Sequence, residues 1–224
     1  MRETHDESPP GLRERKKQQT RRLIAETARQ LFAERGFERV TVAEVARAAD
    51  VSQQTVFNYF PTKEDLVFWR LGAFEDDLLA TVRDRSPGES ALAAFRRFVL
   101  GGRGLLRSAQ PEAREQLAAL TRTIDESPAL LAREQQIFAG YTDALATLLA
   151  EETSADAGDI EPWIAANAMM GVHRALVRHA RGRVRDGARH PALAKEIRAG
   201  GEQAFALLEL GLGSYAVGAP RGSG

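Results

Sequence analysis

The chain has no cysteine and only four histidines in 224 residues. Without thiols there is no disulfide scaffold, no thiolate nucleophile and no cysteine-rich zinc site. His5, His173, His179 and His190 fall at no spacing that would pair two of them on a metal, so neither metal nor cofactor is expected. A Gly-x-Ser-x-Gly elbow is also missing. Gly101-Gly102-Arg103-Gly104 imitates a phosphate loop, but it follows a helical pattern and lacks the Lys-Ser/Thr pair, so it reads as a kink or loop. No apolar run approaches the roughly 20 residues of a membrane span. The opening residues, Met1 to Gly11, have no apolar stretch of the signal-peptide kind. A soluble, cytoplasmic chain without a membrane partner is expected. With β-branched residues never clustered into alternating runs, strands are not expected either. A composition of 43% hydrophobic and 28% charged residues excludes disorder and leaves an all-α globular fold.

Net charge is zero, with 31 basic and 31 acidic residues, but the charge is unevenly placed. Between Gly11 and Lys63 there are 11 Lys or Arg against 6 Asp or Glu. The excess gathers at Arg13, Arg15, Lys16, Lys17, Arg21 and Arg22, opposed by Glu14 alone. A neutral protein with one basic end suits a polyanion, although such a run also suits an ordinary solvated helix face.

Leu23, Ile24, Thr27, Ala28, Leu31 and Phe32 make one stripe of a helix running from Arg13 to Arg35. Gly36 stands where a C-terminal cap belongs, and Phe37 can fold back on the helix. Thr41-Val42-Ala43-Glu44 is a capping box that opens a helix of about two turns. Asp50-Val51 breaks it, and Ser52 caps a third helix through Tyr59. Thr62, with Asp65 three residues on, predicts a fourth helix running to Ser86-Pro87-Gly88. Later segments run from about Ser90 to Leu106, from Pro111, from Ser127-Pro128, from Asp159 to Arg181 and from Pro191 to Ser214. The expected organisation is a disordered tail (1–12), a three-helix domain (13–62), a larger helical domain (63–216) and a frayed end (217–224).

Two short helices joined by a tight turn form a helix-turn-helix pattern. In that motif the first helix braces the phosphate backbone and the second presents side chains to major-groove base edges. Val51, Val56 and Phe60 are spaced to face inward, while Gln53, Gln54, Thr55, Phe57, Asn58 and Tyr59 are offered outward. Gln and Asn bond adenine bidentately and Thr touches bases or phosphates. No acid occurs from Val51 to Lys63. Many helical hairpins share this spacing, so the pattern alone leaves an ordinary hairpin open.

Thr41 to Ala46, Ala49-Asp50-Val51-Ser52 and the run Thr55 to Leu66 together resemble the DNA-binding domain of the TetR family of bacterial repressors, over about residues 18 to 68. The family more often has Gly where Asp50 stands and Tyr where Phe57 stands. The second departure removes a hydroxyl, leaving Phe57 an apolar contact at most. The resemblance implies phosphate contacts from Thr41, Tyr59 and Lys63, and base or near-base contacts from Gln53, Gln54 and Thr55, with Ser52, Phe57 and Asn58 on the same surface. Arg13, Lys16 and Lys17 would meet the backbone or the minor groove.

It further implies a homodimer formed through the last two helices, with a small-molecule pocket in the larger domain. Ala165, Ala166, Ala168, Gly171 and Ala175, and then Gly200, Gly201 and Ala204, permit close helix approach, although a monomer core would use the same residues. Pocket candidates are Phe95, Leu117, Thr121, Phe138, Tyr141, Asn167, Met170 and His173, apolar bulk with a few polar handles. Plain core packing would use the same types. The segment from Ile160 to Leu176 is similar to members that answer acyl-type ligands. The expected function is a sequence-specific repressor released from a double-stranded operator by an apolar or acyl-type effector. Alternatives are a ligand-independent regulator or activator, and, in another class, a helical carrier or scaffold.

Overall fold

The computed structural model describes residues 11–101, 111–188 and 190–212. Both expected tails and Gly102 to Gly104 lie outside these, apart from Gly11 and Leu12. The described residues form helices and no strand. They divide into two compact units, Met1–Trp69 and Arg70–Gly224.

In the first unit, α1 (Leu12–Arg35) carries the core stripe Ile24, Ala25, Ala28 and Phe32. Leu12, assigned above to the tail, is already helical. Gly36 takes φ 81° and donates its N–H to the Phe32 carbonyl, which turns the chain so that Phe37 packs edge-on against Phe32 at 5.1 Å. α2 (Val42–Ala48) opens with the full capping box, Thr41 and Glu44 satisfying each other's backbone N–H groups. It closes in a Schellman turn: Val51 N–H donates to the Ala46 carbonyl and Asp50 N–H to that of Arg47, with Asp50 left-handed at φ 53°. α3 (Gln53–Tyr59) is capped by Ser52, whose Oγ accepts from the Thr55 N–H at 3.0 Å. Val45, Ala46, Ala49, Val56 and Phe60 are buried, and Val51 is half-buried.

The helix expected to run on from Thr62 does not. Thr62 and Asp65 do bond reciprocally, but they close only a 3-10 turn at Glu64–Leu66. Leu66 and Phe68 are both buried. Two positions apart on a continuous α-helix they would point about 200° apart, so burying both requires the chain to leave the helix. α4 starts at Leu71 and ends at Arg83.

The second unit continues with α5 (Ala91–Leu100), α6 (Pro111–Asp125), α7 (Pro128–Thr153), α8 (Glu161–Arg185) and α9 (His190–Leu212). α5 ends sooner than the expected Leu106. Its core joins Leu78 and Val82 of α4, Leu92, Phe95 and Phe98 of α5, Leu145 and Leu149 of α7, Ala165, Ala166, Met169 and Met170 of α8 and Phe205 of α9. Long-range ion pairs fix the registers. Arg85 bonds Glu152 of α7 while capping the Val82 carbonyl of α4, Arg181 of α8 grips Glu134 of α7, and Arg96 of α5 holds Glu202 and Glu209 of α9.

Several small residues expected at an interface serve the monomer. Ala165 and Ala166 are buried, and Gly201 is pressed against Leu100 and Leu176. Gly201→Ala would drive its Cβ into Leu100 and should cost about 1–3 kcal/mol. Gly140→Ala, at an exposed α7 position with open space, should gain up to about 1 kcal/mol. Urea midpoints of the two variants measure both, and equal shifts would contradict the close approach.

Candidate nucleic-acid interface

The outward face of α3 is built by its two buried residues. Val56 and Phe60 lock one side of the helix to the core, leaving Gln53, Gln54, Phe57 and Asn58 exposed and Thr55 and Tyr59 half-buried. Local hydrogen bonds then sort these side chains. The Ser52 and Thr55 hydroxyls bond each other at 2.7 Å, and the Gln54 amide donates to Asn58 at 3.1 Å. Gln53 alone of the polar side chains on α3 keeps both amide groups uncommitted among the described residues. Bidentate reading of adenine requires that freedom. Phe57, 41% exposed, adds an apolar contact suited to a thymine methyl.

Around this face lies positive charge. Arg13, Lys16, Lys17 and Thr20 repeat at helical spacing on α1, and with Gly11, Glu14 and Tyr59 they line an open groove of about 700 Å³. The sequence shows the i, i+3, i+4, i+7 stripe but not its convergence with Tyr59, which depends on how α3 packs. Glu14 is held within α1 by Gln18 at 2.8 Å.

Lys63 does not extend freely. Its ammonium sits 4.1 Å from the Phe37 ring centroid and 3.5 Å from the Glu38 carbonyl. The position is thereby fixed, with the ammonium held over the ring face. Thr41 is also committed: its hydroxyl donates to Glu44 at 2.8 Å and accepts from the Glu44 N–H. While the box holds, that hydroxyl has no proton for a phosphate. Sequence reading missed the pairing of Arg35 with Glu44 at 2.6 Å and, although it counted Arg21 in the basic run, the place of that residue over Phe60. Both depend on tertiary packing that no local spacing reveals.

Among the pocket candidates, the second unit brings Phe138, Tyr141 and His173 into ring contact, around Phe74 and Phe98, which are not among those candidates. Phe74 stacks on His173 at 5.0 Å and on Tyr141 at 5.7 Å, with Phe98 edge-on at 5.0 Å. Phe138 meets His173 edge-on at 5.6 Å. Burial, reinforced by the Arg174 charge, pushes His173 down to about 4, so it is neutral near pH 7. Burial, with Glu75 and Asp76 nearby, raises Tyr141, whose hydroxyl donates to the Leu71 carbonyl at 2.5 Å. Met170 and Phe95 are buried in the same core, Phe95 edge-on to Phe205 at 5.9 Å. Thr121 is buried, Leu117 half-buried, and Asn167 turns its amide back to the Trp163 carbonyl at 2.9 Å. Among the described residues, no group of three or more His, Cys, Asp or Glu could hold a metal ion. No helix there is long and apolar enough to cross a membrane.

A model of the tetR family of bacterial regulatory proteins matches residues 24–68, and a model of the MftR C-terminal domain matches residues 89–198. The chain is 30% identical over 152 residues to the HTH-type transcriptional regulator TcmR of Streptomyces glaucescens, covering 67% of each protein. It is 26% identical over 172 residues to the transcriptional regulator MftR of Mycobacterium tuberculosis, covering 74% of this chain and 81% of that one. In fold it is similar to SmeT, solved with triclosan, at a TM-score of 0.55 and 16% identity over 86% of this chain and 90% of that one. NalD of Pseudomonas aeruginosa, the secondary repressor of the MexAB-OprM multidrug efflux pump, gives 0.53 at 19% identity over 84% and 97%.

The box around Glu44 has a pH signature. The Thr41 N–H, the Arg35 guanidinium and the Thr41 hydroxyl hold its carboxyl down from 4.5 to about 2. Its folded value is below its unfolded one, so its contribution is complete above about pH 4.5 and disappears as pH falls through about 2. The difference in urea midpoint between wild type and Glu44→Gln should therefore shrink on acidification across that window. A constant difference would mean that Glu44 acts by packing alone.

Proposed function

Because the chain belongs to the TetR family of bacterial regulatory proteins, and is thus a DNA-binding transcriptional regulator and not an enzyme, we propose that it works in the cytoplasm as a homodimeric repressor that a small-molecule effector releases from its operator. The observation that carries this is the α3 face: an uncommitted Gln53 beside Phe57, with no acid from Val51 to Lys63 and a basic groove ending at Tyr59. Gln53 reads base edges, with Phe57 beside it. Ser52 and Thr55 stiffen the start of the helix, Gln54 and Asn58 its middle. Tyr59, Lys63, Arg13, Lys16 and Lys17 take phosphates. Thr41 acts mainly through the cap, and contacts phosphate only where an oxygen replaces the Glu44 bond.

Dimerisation is supported by apolar surface left on α8 and α9. Trp163 (55%), Ile164 (48%), Leu207 (72%) and Leu210 (91%) are exposed. The helices run antiparallel, since His179 and Arg183 bond Glu196 and Leu176 meets Gly201, so these four residues gather toward one end of the pair. A twofold copy would cover them and set two α3 helices on half-sites about 34–36 Å apart, or a multiple of that. The effector would enter among Phe138, Tyr141, Met170 and His173. Neutral aromatic walls with a hydroxyl and an imidazole among them suit an apolar molecule carrying one polar group, such as an acyl chain. Phe95, Leu117, Thr121 and Asn167 would complete the lining. Binding there that displaces Phe74 moves α4, and the spacing of the two reading helices changes with it. The coupling is reciprocal, so operator DNA weakens effector binding.

Selection of bound duplexes from a random pool, followed by a compound screen for release, tests the whole reading. Protein that retains no duplex at low salt would end it. On a selected duplex, Gln53→Ala should cost about 1–3 kcal/mol and alter base preference at one position. An equal loss on all sequences would reassign Gln53 to the backbone. The double variant Trp163→Glu, Leu207→Glu should sediment as a monomer, and an unchanged dimer would place the interface elsewhere.

A further inference from the structure

Arg21 lies one turn beyond Lys17 on α1, outside the segment matched by the family model. Its guanidinium carbon is 5.7 Å from the centroid of the Phe60 ring, and Phe60 is almost fully buried directly after Tyr59. The Nε is sealed from solvent and has no hydrogen-bond partner. Among the described residues neither terminal nitrogen has an acceptor, and only Nε is sealed, so both terminal amino groups meet water. The inner edge of the fork is thus fixed against the core while its outer edge is solvated, and its neighbours in the chain, Thr20 before it and Lys17 one turn back, line the groove with Tyr59.

Packing alone does not account for this arrangement. A lysine or a methionine would cover Phe60 without leaving an N–H buried and unpaired, which carries a desolvation penalty in the free protein. Such a penalty is tolerated where the group has work outside the fold. What the ring and the burial supply is a pre-set plane, and a planar fork recognises two oxygens of one anion at little further cost in freedom. The nearest functional surface is the one assigned to DNA, where every cation on the α1 stripe faces the same groove.

We propose that Arg21 is a rigid phosphate clamp: Nη1 and Nη2 together grip one backbone phosphate of the duplex that α3 reads. Here Lys16, Lys17 and Arg13 act as mobile point charges, and Arg21 sets the register of the protein on the backbone. This rests on the DNA-binding reading and adds to it a residue that fixes position without reading sequence.

The test compares full-length wild type, Arg21→Gln, Arg21→Lys and Gln53→Ala on a duplex selected with wild type and on a random-sequence duplex. Across a salt series Arg21→Gln should bind both about tenfold more weakly, with the log–log slope reduced by about one. Arg21→Lys should keep the slope and still lose about threefold. The thermal midpoint of the DNA-free Arg21→Gln protein should be unchanged or higher, since the orphan N–H leaves with the side chain. Wild-type affinity and slope in Arg21→Gln would overturn the clamp. So would a lowered thermal midpoint with an unaltered slope, which would make Arg21 a packing residue. A wild type that selects no duplex would instead defeat the DNA-binding reading itself, and loss in Gln53→Ala confined to the selected duplex shows that reading intact when the clamp fails.

Discussion

Everything the first unit offers to a partner depends on how α2 hands the chain to α3. Each of these helices has seven residues, far short of the roughly 12–15 at which an isolated helix becomes even marginal. They persist because their ends are chemically closed and one face of each is buried. Thr41 and Glu44 satisfy the start of α2, the Asp50 turn satisfies its end, and Ser52 satisfies the start of α3. Asp50 is one of the few residue types besides glycine that enter the left-handed region at modest cost. The direction in which Gln53 points is thus set by this turn and by the Ser52 cap.

The second unit is held by a different balance. Its apolar core supplies most of the stabilisation, but an apolar core alone is permissive about how helices slide. Arg85, with its side chain 6% exposed, meets a geometry that only one register of α4 against α7 provides, since it must reach the Val82 and Glu89 carbonyls as well as Glu152. Arg181 with Glu134 does the same for α8 on α7. Buried or half-buried pairs of this kind add little net stability because desolvation offsets attraction. Their effect here is to make displaced registers costly, so that the aromatic rings of α4, α7 and α8 meet in one arrangement.

Local signals in the sequence were reliable where the physics is local. The capping box, the Ser52 and Ser127 caps, the left-handed Asp50 and the inward Val56 and Phe60 all follow from residues within four positions of each other. The reading from Thr62 shows the limit. The cap it relied on exists, but Leu66 and Phe68 compete for the same core, and tertiary burial prevails over a local helix start. The Gln54–Asn58 bond lies at a helical spacing visible in the sequence, but two amides at i and i+4 are as compatible with both facing bases as with bonding each other. Arg181 with Glu134 and Arg96 with Glu209 are 47 and 113 residues apart, and no periodicity announces such partners. Phe74 was legible as an apolar helix position, but its place between Tyr141 and His173 was not.

The placement of the basic residues also decides between two ways of meeting DNA. From Leu12 onward they are part of a continuous 24-residue helix. A helix with its side chains is about 10–12 Å across, whereas the minor groove is about 6 Å wide, so α1 does not thread it as an extended arm would. On the proposed reading, Arg13, Lys16 and Lys17 therefore meet the sugar-phosphate backbone from the outside of that helix. Attraction and recognition on that reading reside on separate elements: the basic stripe lies on α1, while α3 has no charged residue from Gln53 to Tyr59. In a chain of zero net charge the pull of that groove on a duplex is local and fades within about 10 Å at 0.1 M salt. A duplex feels it only once it is nearly in register, where the uncharged face of α3 accepts or rejects it.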